Sequence, residues 1–228
     1  MRFEISVWYW ENGKKKLLRS EGGELGVGLV AEENSFSLVV EPCREFVLDW
    51  ITVEVPFSFN REDWVYVNGF QSWTDSREWA RGERMKGISW LYFLAFWYYR
   101  LSSYGDYSFA SYSGRRGVFQ GFTYTYVRRG EGITLMGSLS ERSGYTIFEC
   151  DMAKNRILVH KDCKGMQVRG KTEMLSWVTL SGAEGDVFET YFRRLGCPRK
   201  EVAPCTGWTS WRSEERRGGK ECRSRWAR

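Results

Sequence analysis

The chain holds one histidine, four prolines and no Cys-x-x-Cys pair in 228 residues. Without thiols at metal-ligand or redox spacing, its six cysteines (43, 150, 163, 197, 205 and 222) support neither a zinc site nor a dithiol motif. The lone His160 follows an alternating run and has no Ser or Cys nucleophile pattern beside it. It therefore reads as a strand or surface histidine and not as a catalytic base. The longest apolar run, Trp90 to Tyr99, is ten residues and too short to span a bilayer. Arg2-Phe3-Glu4-Ile5-Ser6-Val7 alternates from the outset and contains no signal-peptide core. A reduced, cytoplasmic protein with no metal, no cofactor and no membrane partner is the expectation.

Stretches rich in Ala, Leu, Glu and Lys are also few, whereas aromatics make up 17% and glycines number 24. Aromatic and β-branched residues broken by frequent glycine favour strands joined by tight turns. The net charge of +5 looks like a nucleic-acid signal, but residues 212–228 carry seven basic and three acidic side chains. That run supplies +4 of the total and has neither a strand nor a helix period, so residues 1–211 carry only +1. No nucleic-acid partner is expected of the body.

Phe3 to Trp10 alternates and stops at Asn12-Gly13, a hairpin turn signal. Strand-like runs follow at 25–30, 35–40, 46–55 and 64–67, with a turn at Glu32-Glu33-Asn34. Residues 74–87 are charged and read as an exposed loop. Further strands are expected at 107–112, 118–127, 133–138, 145–150, 156–160 and 174–180, a spacing of about ten residues that suits an antiparallel sandwich. One helix is clear: Val187, Phe188, Tyr191, Phe192 and Leu195 form a one-sided stripe. Asp186 is placed to cap its start, and Gly196 with Pro198 to end it. The expected layout is a β-sandwich (supersandwich) over 1–183, a helix and linker over 184–204, the start of another unit at 205–211, and a non-native tail at 212–228.

Two motifs carry a family resemblance. Asn68-Gly69-Phe70-Gln71-Ser72-Trp73 and Thr206-Gly207-Trp208-Thr209-Ser210-Trp211, in that order, resemble the α-galactosidases of glycoside hydrolase family 36. Gly137 to Thr146 also resembles the bacterial branch. The resemblance covers most of 1–211. It implies an N-terminal sandwich, a helical linker and a catalytic (β/α)8 barrel opening at 205–211, with the rest of that barrel absent. It implies retaining hydrolysis of terminal α-galactosides such as raffinose or melibiose, by two aspartates that no acid of this chain matches. Residues 212–228 resemble instead the in-frame translation of a sequencing-library adapter, R-S-E-E-R-R-V-G-K-E-C-R-S-R-W, departing only at Gly218. The family pattern has Tyr where this chain has Arg212. On that reading the chain is truncated after Trp211 and is itself inactive.

The resemblance assigns substrate contact to Trp73, whose indole suits the apolar face of galactose, and to Trp208 at the end of the first barrel strand. Trp211 falls on the other face and reads as packing. Gln71 is placed either to bond a sugar hydroxyl or to hold the turn that aims Trp73, and Asn68 reads as a turn residue. Asp75, Glu78, Glu83 and Asp106 read as solvated surface, and the aromatic cluster Trp90–Tyr99 as packing. The parent enzyme is expected to form a homo-oligomer. The alternative is a stand-alone carbohydrate-binding sandwich that presents exposed aromatics to sugar.

Overall fold

Residues of alternating burial along β1 (Glu4–Glu11) sort into two faces, with Ile5, Val7 and Tyr9 inward and Ser6, Trp8 and Trp10 outward. This period of two recurs through a computed structural model that describes residues 3–70, 74–85, 98 and 112–196. The other strands are β2 (Lys14–Leu18), β3 (Gly28–Glu32), β4 (Ser35–Val40), β5 (Phe46–Pro56), β6 (Trp64–Val67) and β7 (Arg77–Ala80). After them come β8 (Val118–Phe122), β9 (Tyr124–Arg129), β10 (Gly132–Ser138), β11 (Tyr145–Asp151), β12 (Arg156–Val168), β13 (Thr172–Ala183) and the helix α1 (Glu184–Arg194). They form a six-stranded sheet, β2-β1-β5-β12-β11-β8, and a seven-stranded sheet, β3-β4-β13-β10-β9-β6-β7. Neighbouring strands pair antiparallel throughout, and the two sheets make a β-sandwich.

The interior is lined from both sheets. Val7, Leu48, Ile51, Val53 and Val159 come from one side, and Leu38, Val40, Val65, Val67 and Trp177 from the other, each fully buried. Removing one such side chain from water stabilises by about 1.5–3 kcal/mol, which is what holds the layers together against chain entropy. Asn12 and Gly13, at φ 50° and 73°, close the first hairpin in the left-handed geometry that matches strand twist. The run Lys14-Lys15-Lys16 then occupies the sheet edge at β2, where charge discourages pairing with another chain.

Several elements differ from the sequence expectation. The run 118–127 is two strands, β8 and β9, in different sheets, because the backbone turns left-handed at Thr123 (φ 67°). The charged stretch 74–87 contains β7: Trp79 points inward and stacks on Phe119, while Glu78 bonds outward to Arg128. The first residues of 25–30 form a loop, since Gly26 packs where a Cβ would meet the Glu41 carbonyl at 2.5 Å. β12 runs on to Val168, past the expected end at His160. Most of the expected strand at 107–112, and Pro198, lie outside the described residues.

The helix starts at Glu184, so Asp186 lies in its first turn and not at the cap. Ala183 holds the cap position without a side-chain bond. Glu184 and Asp186 there favour the positive end of the helix dipole. Gly196, at φ 70°, ends the helix and donates to the Arg193 carbonyl at 3.1 Å. Val187 and Tyr191 bury against Ile133, Leu135, Val178 and Leu180 on the outer face of the seven-stranded sheet. The Tyr191 hydroxyl donates to the Ser138 carbonyl at 2.8 Å. Such close approach depends on Gly137, where a Cβ would stand 2.5 Å from the Tyr191 ring.

Gly137→Ala is therefore expected to lower the unfolding free energy by about 1–3 kcal/mol in urea titrations. Gly185→Ala, whose Cβ meets nothing within 4 Å, is expected to raise it by about 0.5–1 kcal/mol. Equal effects from the two would contradict this account of the helix contact.

Candidate functional site

β6 ends at Val67, and the chain passes directly to the edge of the opposite sheet. The Asn68 carbonyl accepts from the Phe122 N–H at 2.8 Å, and the Asn68 amide donates back to the Phe122 carbonyl at 3.4 Å. Gly69 N–H donates to Ser76 Oγ at 2.9 Å, and that hydroxyl lies 3.4 Å from Asn68 Oδ1. A Cβ on Gly69 would stand 2.3 Å from Thr74 Oγ1, so only glycine fits. The two ends of the segment 68–76 are thus tied to each other and to β8. Gly121 completes the approach, since a Cβ there would collide with Val67 and the Asn68 nitrogen.

Phe70 continues the crossing. Its ring packs on Phe122 at 5.2 Å and meets Tyr145 edge-on at 5.0 Å, and both Phe70 and Tyr145 remain partly open to solvent. The structure therefore gathers Asn68, Gly69, Phe70 and Ser76 at one corner of the sandwich; Asn68 has a structural role, bonded to Phe122, but Asn68-Gly69 does not form the turn its dipeptide suggested. Gln71, Trp73, Trp208 and Trp211 lie outside the described residues, as do Asp106 and all of the aromatic cluster but Tyr98.

Beside this corner sits a polar cluster that the sequence reading missed. Lys161 is fully buried, and its ammonium donates to the Ser140 carbonyl at 2.7 Å and to Thr146 Oγ1 at 2.9 Å. It also lies 3.3 Å from Glu141 Oε2, and Thr146 Oγ1 is 2.9 Å from Ser138 Oγ. An ammonium has three donors, and three partners meet it. Burial pushes the Lys161 pKa down, and the Glu141 carboxylate opposes that shift. Fully satisfied in this way, the lysine acts as a pin for the turn 139–144 and not as a free base. The available signal was a charge at an inward position of an alternating strand.

Of the expected surface acids that are described, Glu78 and Glu83 are ion-paired. Glu78 takes the Arg128 guanidinium at 2.6 Å and the Tyr126 hydroxyl at 2.9 Å. Burial, with this bond to Glu78, pushes the Tyr126 hydroxyl up to about 12. Glu83 binds Arg77 and the Ala80 N–H, which hold its carboxyl below the usual range. Asp75 is exposed. Among the described residues no group of three His, Cys, Asp or Glu is placed to hold a metal ion.

His160 lies on β12 facing away from the interior, beside Trp50 at a ring separation of 5.4 Å. Its Nδ1 is 2.8 Å from Thr52 Oγ1 and 3.3 Å from the Trp50 indole nitrogen. An indole N–H only donates, so Nδ1 accepts and the proton of the neutral ring rests on Nε2. Burial, followed by the nearby Arg156 charge, lowers its pKa to about 4.

No family model matches the chain, and no curated protein matches it.

A histidine titrating near 4 when folded and about 6.5 when unfolded lets the unfolded chain hold more protons between those values. Its contribution is complete above about pH 6.5 and is lost as pH falls towards 4, on the order of 3 kcal/mol. Urea midpoints measured across this window should fall with pH in the native chain and fall less in His160→Gln. Parallel curves would contradict the half-buried neutral imidazole.

Proposed function

We propose that the chain provides the N-terminal sandwich of a retaining, exo-acting α-galactosidase that removes terminal α-galactose from oligosaccharides of the raffinose and melibiose type. The observation that carries this reading is the order of its two motifs. Asn68-Gly69-Phe70-Gln71-Ser72-Trp73 springs from the corner of a two-sheet sandwich, and Thr206-Gly207-Trp208-Thr209-Ser210-Trp211 follows the helix α1. In the family this resembles, the first segment lends its Trp to the sugar pocket and the second opens the catalytic barrel.

On this reading Trp73 covers the apolar face of galactose, where C–H groups meet the indole π cloud. Gln71 hydrogen-bonds a hydroxyl or holds the turn, and Trp208 contacts the sugar from the barrel side. The barrel supplies two aspartates, with carboxyls about 5–5.5 Å apart so that one can form a glycosyl-enzyme and the other can act as acid and base. No acid of this chain takes either part. The enzyme needs no cofactor or metal, acts on a neutral sugar and binds neither nucleic acid nor membrane. It works as a homo-oligomer in the cytoplasm. Cys43, Cys150 and Cys163 are free thiols, which fits a reducing compartment. Among the described residues no helix is long and apolar enough to cross a membrane.

The test has two arms. Residues 1–211 should show no turnover of 4-nitrophenyl α-galactoside. The gene should read on from Trp211 into Tyr and a barrel whose product hydrolyses that substrate with retention, and Trp73→Ala should lower its kcat/KM by roughly tenfold or more. Turnover by residues 1–211, or a full-length product without α-galactosidase activity, would overturn the reading.

A further inference from the structure

Two tryptophans stand on the solvent side of the six-stranded sheet, one strand in from its β2 edge. Trp8 is 36% exposed and Trp10 40% exposed, both on the outer face of β1 and about 7 Å apart along the strand. Neither indole N–H has a hydrogen-bond partner among the described residues. Trp8 is flanked across the strands by Leu17 and Trp50, and the Lys15 ammonium sits 5.2 Å above its ring. The neighbouring Trp50 is held in place by the Thr52 hydroxyl and His160 Nδ1.

The backbone beneath is built irregularly at this level. Leu48 and Ile51 both point inward, so a bulge in β5 against β1 turns two consecutive residues, Asp49 and Trp50, outward together. The pairing of β12 with β5 shifts at the same height, between Asp162 and Met166. Asp49 is thereby aimed at Lys15, 2.5 Å away. Lys15 and Asp49 thus neutralise each other beside the two indoles, whereas Lys16 and Arg44 both reach Glu11, which alternates to the other side of β1. Paired with Asp49, Lys15 gives this strip no basic groove to follow a phosphate backbone.

We propose that this face binds a neutral oligosaccharide of linked pyranose rings. Trp10 and the part of Trp8 that Lys15 leaves uncovered offer apolar surface to the C–H faces of two neighbouring rings, and the indole N–H groups, Lys15 and Asp49 offer donors and an acceptor to the hydroxyls around them. A self-neutralised aromatic strip of this kind selects for a ligand that is uncharged, rich in hydroxyls and apolar on its ring faces. The inference rests on β1, β2 and β5 alone and stands whether or not the α-galactosidase reading does.

The test is calorimetric titration of the 228-residue chain with cellohexaose, mannohexaose and stachyose. At least one should bind with Kd of roughly 1 mM or tighter, and with the same affinity at low and high salt. Trp8→Ala and Trp10→Ala should each weaken it by about tenfold or more, and Trp8→Phe by less than Trp8→Ala. Circular dichroism should show the same fold in all three, with urea midpoints lowered only by the cross-strand packing that each change removes, about 0.2–1 kcal/mol per pair. Absence of binding by all three sugars at about 10 mM would overturn the proposal. So would affinity indifferent to both alanine variants, or affinity that collapses with salt.

Discussion

Between β8 and β9 the chain changes sheets through a single residue. β8 ends the six-stranded sheet at Phe122, Thr123 adopts φ 67°, and Tyr124 begins β9 in the seven-stranded sheet. A left-handed threonine costs about 1–2 kcal/mol. Two backbone bonds hold it: its N–H donates to the Thr146 carbonyl of β11 at 3.0 Å, and its carbonyl accepts from Ser138 N–H at the end of β10 at 2.8 Å. One partner lies in each sheet, so this residue staples the layers together at one corner. Much of what is distinctive in the molecule is arranged around it.

From that corner the Asn68 segment takes its position. Asn68 pairs with Phe122, the residue before the staple, and the Thr125 hydroxyl, two residues after it, donates to the Tyr66 carbonyl at 2.5 Å. Lys161 secures the turn after β10, and Ser138 links that turn to Tyr191 of the helix. Helix, turn and segment 68–76 are thereby connected through a few bonds that all converge on residues 122–146. Buried polar networks rigidify when every member is satisfied, and the three partners of Lys161 meet that condition. A sugar-contacting tryptophan carried on such a segment would inherit a rigid base.

Strand content was easy to read, because β4 and β6 are short runs rich in β-branched and aromatic residues, and their bounds match the expected 35–40 and 64–67. The hairpin at Asn12-Gly13 and the helix stripe were legible for the same local reason. What escaped was non-local. Nothing in Val118 to Val127 announces a corner, since threonine has no preference for left-handed backbone and Thr123 is held there by partners from β11 and β10. β7 was hidden because its charges, Arg77 and Glu78, find their partners across a turn and on β9 of the same sheet while Trp79 alone marks the inward face. Asp186 looked like a cap, but β13 runs straight into the helix at Ala183 and leaves it no such place. Of the site, a structural role for Asn68 was readable, though through its bonds to Phe122 and not through a turn, whereas the pinned Lys161 depends on contacts up to 21 residues away.

The central claim is that the corner at Thr123 is rigid and carries the Asn68 segment. Native-state hydrogen exchange of the Phe122, Thr123 and Ser138 amides addresses it most directly. If the corner staples the sheets, these three amides exchange only through global unfolding, as slowly as Val53 and Val159 in the sandwich interior. Exchange at the rate of an open loop, with the interior still protected, would contradict it.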